Sequence, residues 1–193
     1  MENWQQAAEQ RTNTYKWTDE IPSEADINEI LDNLHLYSPS KQRKVRYEIL
    51  IYRNDDELRR KQIYRASAAD LTDTARHNPQ TLAPWLLLFK KRNSDEDFND
   101  ADIFMDLGIA TGAIIWAAAD KGIDSGLNKC VNYPDLVEDA VGFMPEMIIG
   151  LGYKAPGQSY YCTHYEKEVS IPDSNYDQKP NKDDYISYWS HNE

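Results

Sequence analysis

Cysteine, histidine pairs and long apolar runs are all scarce in this chain, and each scarcity narrows what it can do. The only cysteines among 193 residues are Cys130 and Cys162, so the fold must rest on a hydrophobic core and not on a disulfide framework. They read as free thiols in a reducing, cytoplasmic setting. Met1-Glu2-Asn3-Trp4 is polar and acidic and does not read as the start of a signal peptide. None of the four histidines pairs at i, i+4, and HExxH and CxxC are missing, so no metal site is expected. Cys162-Thr163-His164 reads as a tail cysteine beside a surface histidine. The dinucleotide glycine fingerprint, the P-loop and GxSxG are absent as well. The longest apolar run, Leu107 to Ala119, falls well short of the roughly 20 residues that cross a bilayer. Basic residues are outnumbered, 21 against 33 acidic, and the net charge of −12 repels nucleic acid and anionic membranes at long range. Any anionic ligand therefore needs a local basic pocket.

What is present is enough for one core: 40% apolar and 11% aromatic residues in a chain of single-domain length. Residues 2–11 suggest a short helix. Ser23 with Asp26 reads as a variant capping box opening a second helix, whose Ile27, Ile30, Leu31 and Leu34 form one buried stripe ending near Tyr37. Pro39 stops it. Tyr47 to Tyr52 reads as a strand, residues 55–75 as a charged helix, and Pro84 to Phe89 as a strand buried on both faces. Asn93 to Asn99 reads as a loop. Residues 100–121, capped by Asn99 or Asp100 and stopped by Gly122, are apolar on nearly every side, which predicts a buried helix. Gly108 and Gly112, four apart, predict close approach of another backbone, inside the core or at a subunit interface. A short helix at Pro134 to Val141 and a buried strand at Met147 to Gly152 follow. Residues 155–193 read as an extended, tyrosine-rich arm of the same single domain, 1–193. The expected class is α+β: a small mixed sheet sandwiched by helices, with a long central helix.

The densest chemistry lies at Ser38-Pro39-Ser40-Lys41-Gln42, where two hydroxyls, an amide and a cation share one turn. Around it run Arg11-Thr12-Asn13-Thr14-Tyr15, Ile21-Pro22, the capped helix and the Tyr47 strand. Further on come the 106–122 helix, Gly122-Ile123-Asp124-Ser125-Gly126 and Ile149-Gly150-Leu151-Gly152-Tyr153. In order and spacing this resembles the nitroreductase family of flavin enzymes, from about residue 3 to 154. The resemblance implies a homodimer binding FMN between subunits, using NADH or NADPH to reduce a small-molecule acceptor such as a nitroaromatic or quinone by ping-pong hydride transfer. A non-catalytic flavin-binding or structural dimer is the alternative; an unrelated binding module with a tyrosine-rich arm is a third reading. Neither nucleic acid nor a membrane is an implied partner.

The same resemblance implies roles for particular residues. Arg11, Thr12, Asn13 and Tyr15 would serve the phosphate, together with the late cations Lys179 and Lys182; Lys154 is a further candidate. Pro39, Ser40, Gln42 and Arg43 would reach the ring from the partner subunit. Arg76 or Asn78 would touch its edge, and Ser125, Gly126 and Leu127, with Asn128, would face its N5 edge. No residue is assigned as a catalytic acid or base. The sequence departs from the family where Arg43, Val45, Arg46 and Tyr47 replace the usual Asn and Pro-Trp, with Tyr47 expected to take over the packing. It also lacks the acidic-glycine pair expected near Lys129 and Cys130.

Overall fold

A computed structural model describes residues 13–37, 39–40, 44–67, 78–92, 99–156, 161–164 and 167–170. The helix expected at 2–11 and the loop at 93–98 lie outside them. The described elements are α1 (Glu24–Tyr37), β1 (Tyr47–Arg53), α2 (Glu57–Ala66), a 3-10 turn (Pro79–Leu82), β2 (Trp85–Lys91), α3 (Asp100–Asp120), β3 (Asp124–Asn128), α4 (Pro134–Val141), β4 (Met147–Gly152), β5 (Tyr161–His164) and β6 (Lys167–Ser170).

Four strands form one sheet in the order β1-β2-β4-β3, with β2 and β4 central. All three ladders are antiparallel, through pairs such as Ile49 with Phe89, Leu87 with Ile149 and Gly126 with Gly150. A mixed sheet was expected; the parallel element among the described residues is a single bridge, Asn13 with Ser125, on the outer edge of β3. β5 and β6 make a separate antiparallel hairpin within the arm.

Strand alternation splits the core in two. Trp85, Leu87, Phe89, Ile149 and Leu151 face α1 and α3, where they meet Ile27, Ile30, Ile103, Leu107 and Ile114. Leu86, Leu88 and Ile148 face α2 and α4, where they meet Ile63, Ala66, Val137 and Ala140. β2 is buried on both faces, as its continuous apolar run predicts. The helix ends also follow the sequence. The Ser23 hydroxyl accepts from the Asp26 amide at 3.1 Å, Asn99 caps α3 by accepting from the Asp102 amide, and Gly122 ends α3 at φ +71°.

Two expectations change. β3 was not read as a strand, because Asp-Ser-Gly-Leu-Asn is poor in strand formers; pairing with β4 overrides that local preference. And α3 is not buried all round. Ile103, Asp106, Leu107, Ala110 and Ile114 form its core seam, but Phe104, Met105 and Trp116 are exposed, and nothing lies within 4 Å of a methyl built on Gly108 or Gly112. Among the described residues no other backbone approaches that glycine pair. By length and composition α3 is apolar enough to cross a membrane, yet its seam is the centre of the larger core cluster.

Candidate functional site

The segment 13–18 runs along the open edge of β3 and past β4. The Thr14 amide donates to the Ser125 carbonyl (2.9 Å), and the Thr18 amide donates to the Tyr153 carbonyl (2.8 Å). Asn13 acts as a staple. Its Oδ1 accepts from the Leu127 amide (2.8 Å), and its Nδ2 donates to the Tyr15 hydroxyl (2.8 Å). Asn13, Tyr15, Ser125, Gly126 and Leu127, all picked from the sequence, are thus brought together. The Leu127 amide, however, is engaged by Asn13.

Gly126 is required by this arrangement. A methyl there would sit 2.7 Å from the Thr14 carbonyl oxygen and 3.0 Å from Cγ of Gln80. The 3-10 turn packs Gln80 against β3 and β4, and Trp17 Nε1 donates to the Pro79 carbonyl (2.9 Å) behind it. Thr14 and Gln80 are both buried, and Thr14 Oγ1 and Gln80 Oε1 have no hydrogen-bond partner among the described residues. Sequence reading missed both residues; a Thr and a Gln carry no spacing signal that would single them out. Asn78, expected with Arg76 as one of two candidates for the ring edge, donates through Nδ2 to the Ser67 carbonyl (2.6 Å), and its backbone carbonyl accepts from the Thr81 hydroxyl. Lys154 pairs with Asp124 at 3.7 Å at the start of β3. At the other end of that strand, Asn128 closes a turn by accepting from the Cys130 amide, and the Lys129 ammonium lies 4.2 Å from the centroid of the Phe104 ring.

The second group lies before β1. Pro39 is exposed and Ser40 half-buried. Ser40 Oγ accepts from the Val45 amide (3.0 Å), which leaves its own O–H free to donate elsewhere. Val45 has φ +32°, unusual for a β-branched residue. Tyr47 packs on Phe89 at 5.6 Å between centroids, the packing role expected of it. Arg46, not singled out as a site residue, is 3% exposed and pairs with Asp106 at 2.9 Å. The sequence signal for that pair is a lone carboxylate inside the apolar seam of α3.

These two groups adjoin opposite edge strands of the sheet, β1 and β3, which are three strand spacings or about 14 Å apart. The first turns of α3 stand between them, with Asp106 receiving Arg46 and Phe104 receiving Lys129. One chain therefore does not bring Ser40 to Asn13. Arg11, Thr12, Gln42, Arg43, Arg76, Lys179 and Lys182 lie outside the described residues. Among the described residues no cluster of three His, Cys, Asp or Glu side chains is placed to hold a metal.

α1, which leads into the Ser40 turn, is tied to the end of α3 by Lys121, whose ammonium bonds Asp26 (3.1 Å) and Glu29 (2.6 Å). Ser23 and then Lys121 hold the Asp26 carboxyl below its ordinary value, and Glu29 with Asp26 holds Lys121 above its own.

The model of the Nitroreductase family matches residues 8–153. A nitroreductase family protein from Clostridium difficile 630 superposes with a TM-score of 0.66 at 15% identity, over 98% of this chain and 99% of that one. A candidate nitroreductase from Desulfovibrio desulfuricans, solved in complex with FMN, gives 0.65 at 20% identity over 83% and 91%. An FMN-dependent nitroreductase from Clostridium difficile R20291 gives 0.60 at 17% over 81% and 90%. No curated protein sequence matches the chain.

Proposed function

Since the chain belongs to the nitroreductase family and is on that ground a nitroreductase-like oxidoreductase, we propose that it binds FMN in a crevice shared by two copies and reduces a nitroaromatic, quinone or related acceptor with NADH or NADPH. The observation that carries this reading is the family match itself, which spans both candidate groups. The FMN complex of the D. desulfuricans protein supports the choice of cofactor.

The described residues fit such a ligand by their donor chemistry. A flat, polar ring needs hydrogen-bond donors and close backbone, and the 13–15 segment sets Asn13 and Tyr15 side by side along β3. On the other edge, the Ser40 hydroxyl has its proton available to donate. Arg11, Lys179 and Lys182 are the proposed cations for the phosphate, whose charge calls for fixed donors.

When bound, FMN would supply reversible two-electron chemistry between a reduced nicotinamide and the acceptor. The chain's part is placement. Asn13 keeps the 13–15 segment on β3, so the backbone that would line the ring cannot drift. Ser40, held by Val45, offers one oriented donor from the other copy. Donor and acceptor would occupy the same site in turn, which would give ping-pong kinetics, and no residue of the chain is assigned as an acid or base.

The shared crevice requires a homodimer. Its proposed contact is the exposed stripe of α3, where Phe104, Gly108, Gly112 and Trp116 recur every four residues and the glycines leave room for a second helix.

The decisive experiment is the visible spectrum of the purified protein before and after incubation with FMN, followed by NADH and NADPH oxidation with a quinone or nitroaromatic acceptor. Flavin absorbance that stays with the protein, and parallel double-reciprocal lines, are expected. A protein that stays colourless after FMN refutes the reading; bound flavin without turnover makes it a flavin-binding protein and not an enzyme.

A further inference from the structure

Arg46 and Asp106 form a buried ion pair that nothing in the chemistry above requires. The guanidinium is 3% exposed and the Asp106 side chain 0%; Nη1 donates to Oδ2 at 2.9 Å, and Asp102 lies 4.0 Å from Nη2. Burying such a pair seldom stabilises a fold more than well-packed apolar side chains of the same volume would. Its location suggests another use. Arg46 is the last residue before β1, directly after Val45, and Val45 is held in the positive-φ region. The main chain is gripped on both sides of that bend. The Val45 amide donates to Ser40 Oγ (3.0 Å), and the Arg46 carbonyl accepts from the Arg92 amide (3.0 Å). A β-branched residue keeps such a conformation only where its surroundings over-determine it, and strain of this kind gathers at ligand-binding sites.

We propose that the Arg46–Asp106 pair is a positioning device: it anchors the strand end of the turn to α3, keeps Val45 bent, and so fixes Ser40 with its O–H directed away from Val45 toward a ligand. The assignment of that ligand as FMN rests on the proposed function; the anchoring itself does not. Arg46 acts through Val45 and Ser40 and is not a catalytic residue. The pair also ties the Ser40 turn to the same helix whose exposed stripe is the proposed dimer contact, so that the turn and the interface share one rigid support.

The test replaces the pair by apolar side chains, Arg46→Met with Asp106→Leu, and reads three quantities in the full-length protein: the urea midpoint, hydrogen exchange of the Val45 amide, and the FMN dissociation constant from flavin fluorescence quenching. Expected are a midpoint close to that of the parent, Val45 protection lowered at least tenfold, and an FMN constant raised about tenfold, with kcat at saturating FMN little changed. A variant that keeps Val45 protection and FMN affinity within twofold of the parent overturns the proposal. Should the apolar pair fail to fold, Arg46→Lys decides by the same readings, because it keeps the buried charge but loses the fork that reaches toward both carboxylates. If the parent itself binds no FMN, the functional reading fails, while Val45 protection still decides whether the pair anchors the turn.

Discussion

Replacing Gly126 by Ala is the sharpest perturbation of the β3 edge. The added methyl would lie 2.7 Å from the Thr14 carbonyl oxygen and 3.0 Å from Gln80 Cγ, with Thr14 fully buried and Gln80 nearly so. Neither neighbour can swing into solvent. Overpacking of this kind costs about 1–3 kcal/mol. Relief requires the 13–15 segment to lift from the strand, which endangers the Thr14–Ser125 and Asn13–Leu127 hydrogen bonds, each worth about 1 kcal/mol net. A total loss of about 2–4 kcal/mol is expected. With a urea slope of about 2 kcal/mol/M for a chain of this size, the midpoint should fall by about 1–2 M. Equilibrium urea melts supply the number, and hydrogen exchange at Thr14 and Leu127 locates it. A loss below about 0.5 kcal/mol with both amides still protected would refute the steric reasoning.

Other outcomes follow from the same contacts. Asn13→Ala removes the acceptor for the Leu127 amide and the donor to Tyr15, and should cost about 1–2 kcal/mol in the same melts while exposing Leu127 to exchange. Trp116→Arg on the exposed face of α3 should leave the single-chain fold within about 0.5 kcal/mol but shift sedimentation from dimer to monomer; an unchanged dimer mass rules that face out as the contact. The Asp26–Lys121 anchor predicts a pH signature. Asp26 lies below its ordinary 3.8, so its stabilisation is present above that value and vanishes as pH falls through the folded one. Lys121 lies above its ordinary 10.5, so its share is complete below that value and disappears as pH rises through the folded one. Asp26→Asn with Lys121→Met should therefore be less stable than the parent between about pH 5 and pH 10 and converge with it in strong acid. A difference that persists unchanged below about pH 3 would show that the two charges are not its source.

Most helices and the two central strands were legible because local signals and burial agree in them. The Ser23 and Asn99 caps, the Ile27–Leu34 stripe and the two-sided apolar run of β2 each specify their element without outside help. β3 was not legible as a strand, since its five residues are nearly all strand-averse and its form comes from β4. Asn13 and Gly126 stand out in the sequence, but not their contacts: the Asn13 amide turns inward to its own chain. Arg46 reads as one more cation in a basic stretch. Only its partner 60 residues on, on another element, reveals that it is buried. The glycine pair of α3 suggests close approach of another backbone, and among the described residues none comes within 4 Å of a methyl built there.

The placement of the two candidate groups at opposite edges of one sheet has a genetic consequence. If each crevice borrows Ser40 from one copy and Asn13 from the other, a chain damaged at either residue forms two defective crevices with its own kind. Co-expressing the two damaged chains would create hybrids in which one crevice inherits both lesions and the other neither. Such mixtures should regain up to half the turnover per hybrid, interallelic complementation that a self-contained site on each chain could never display.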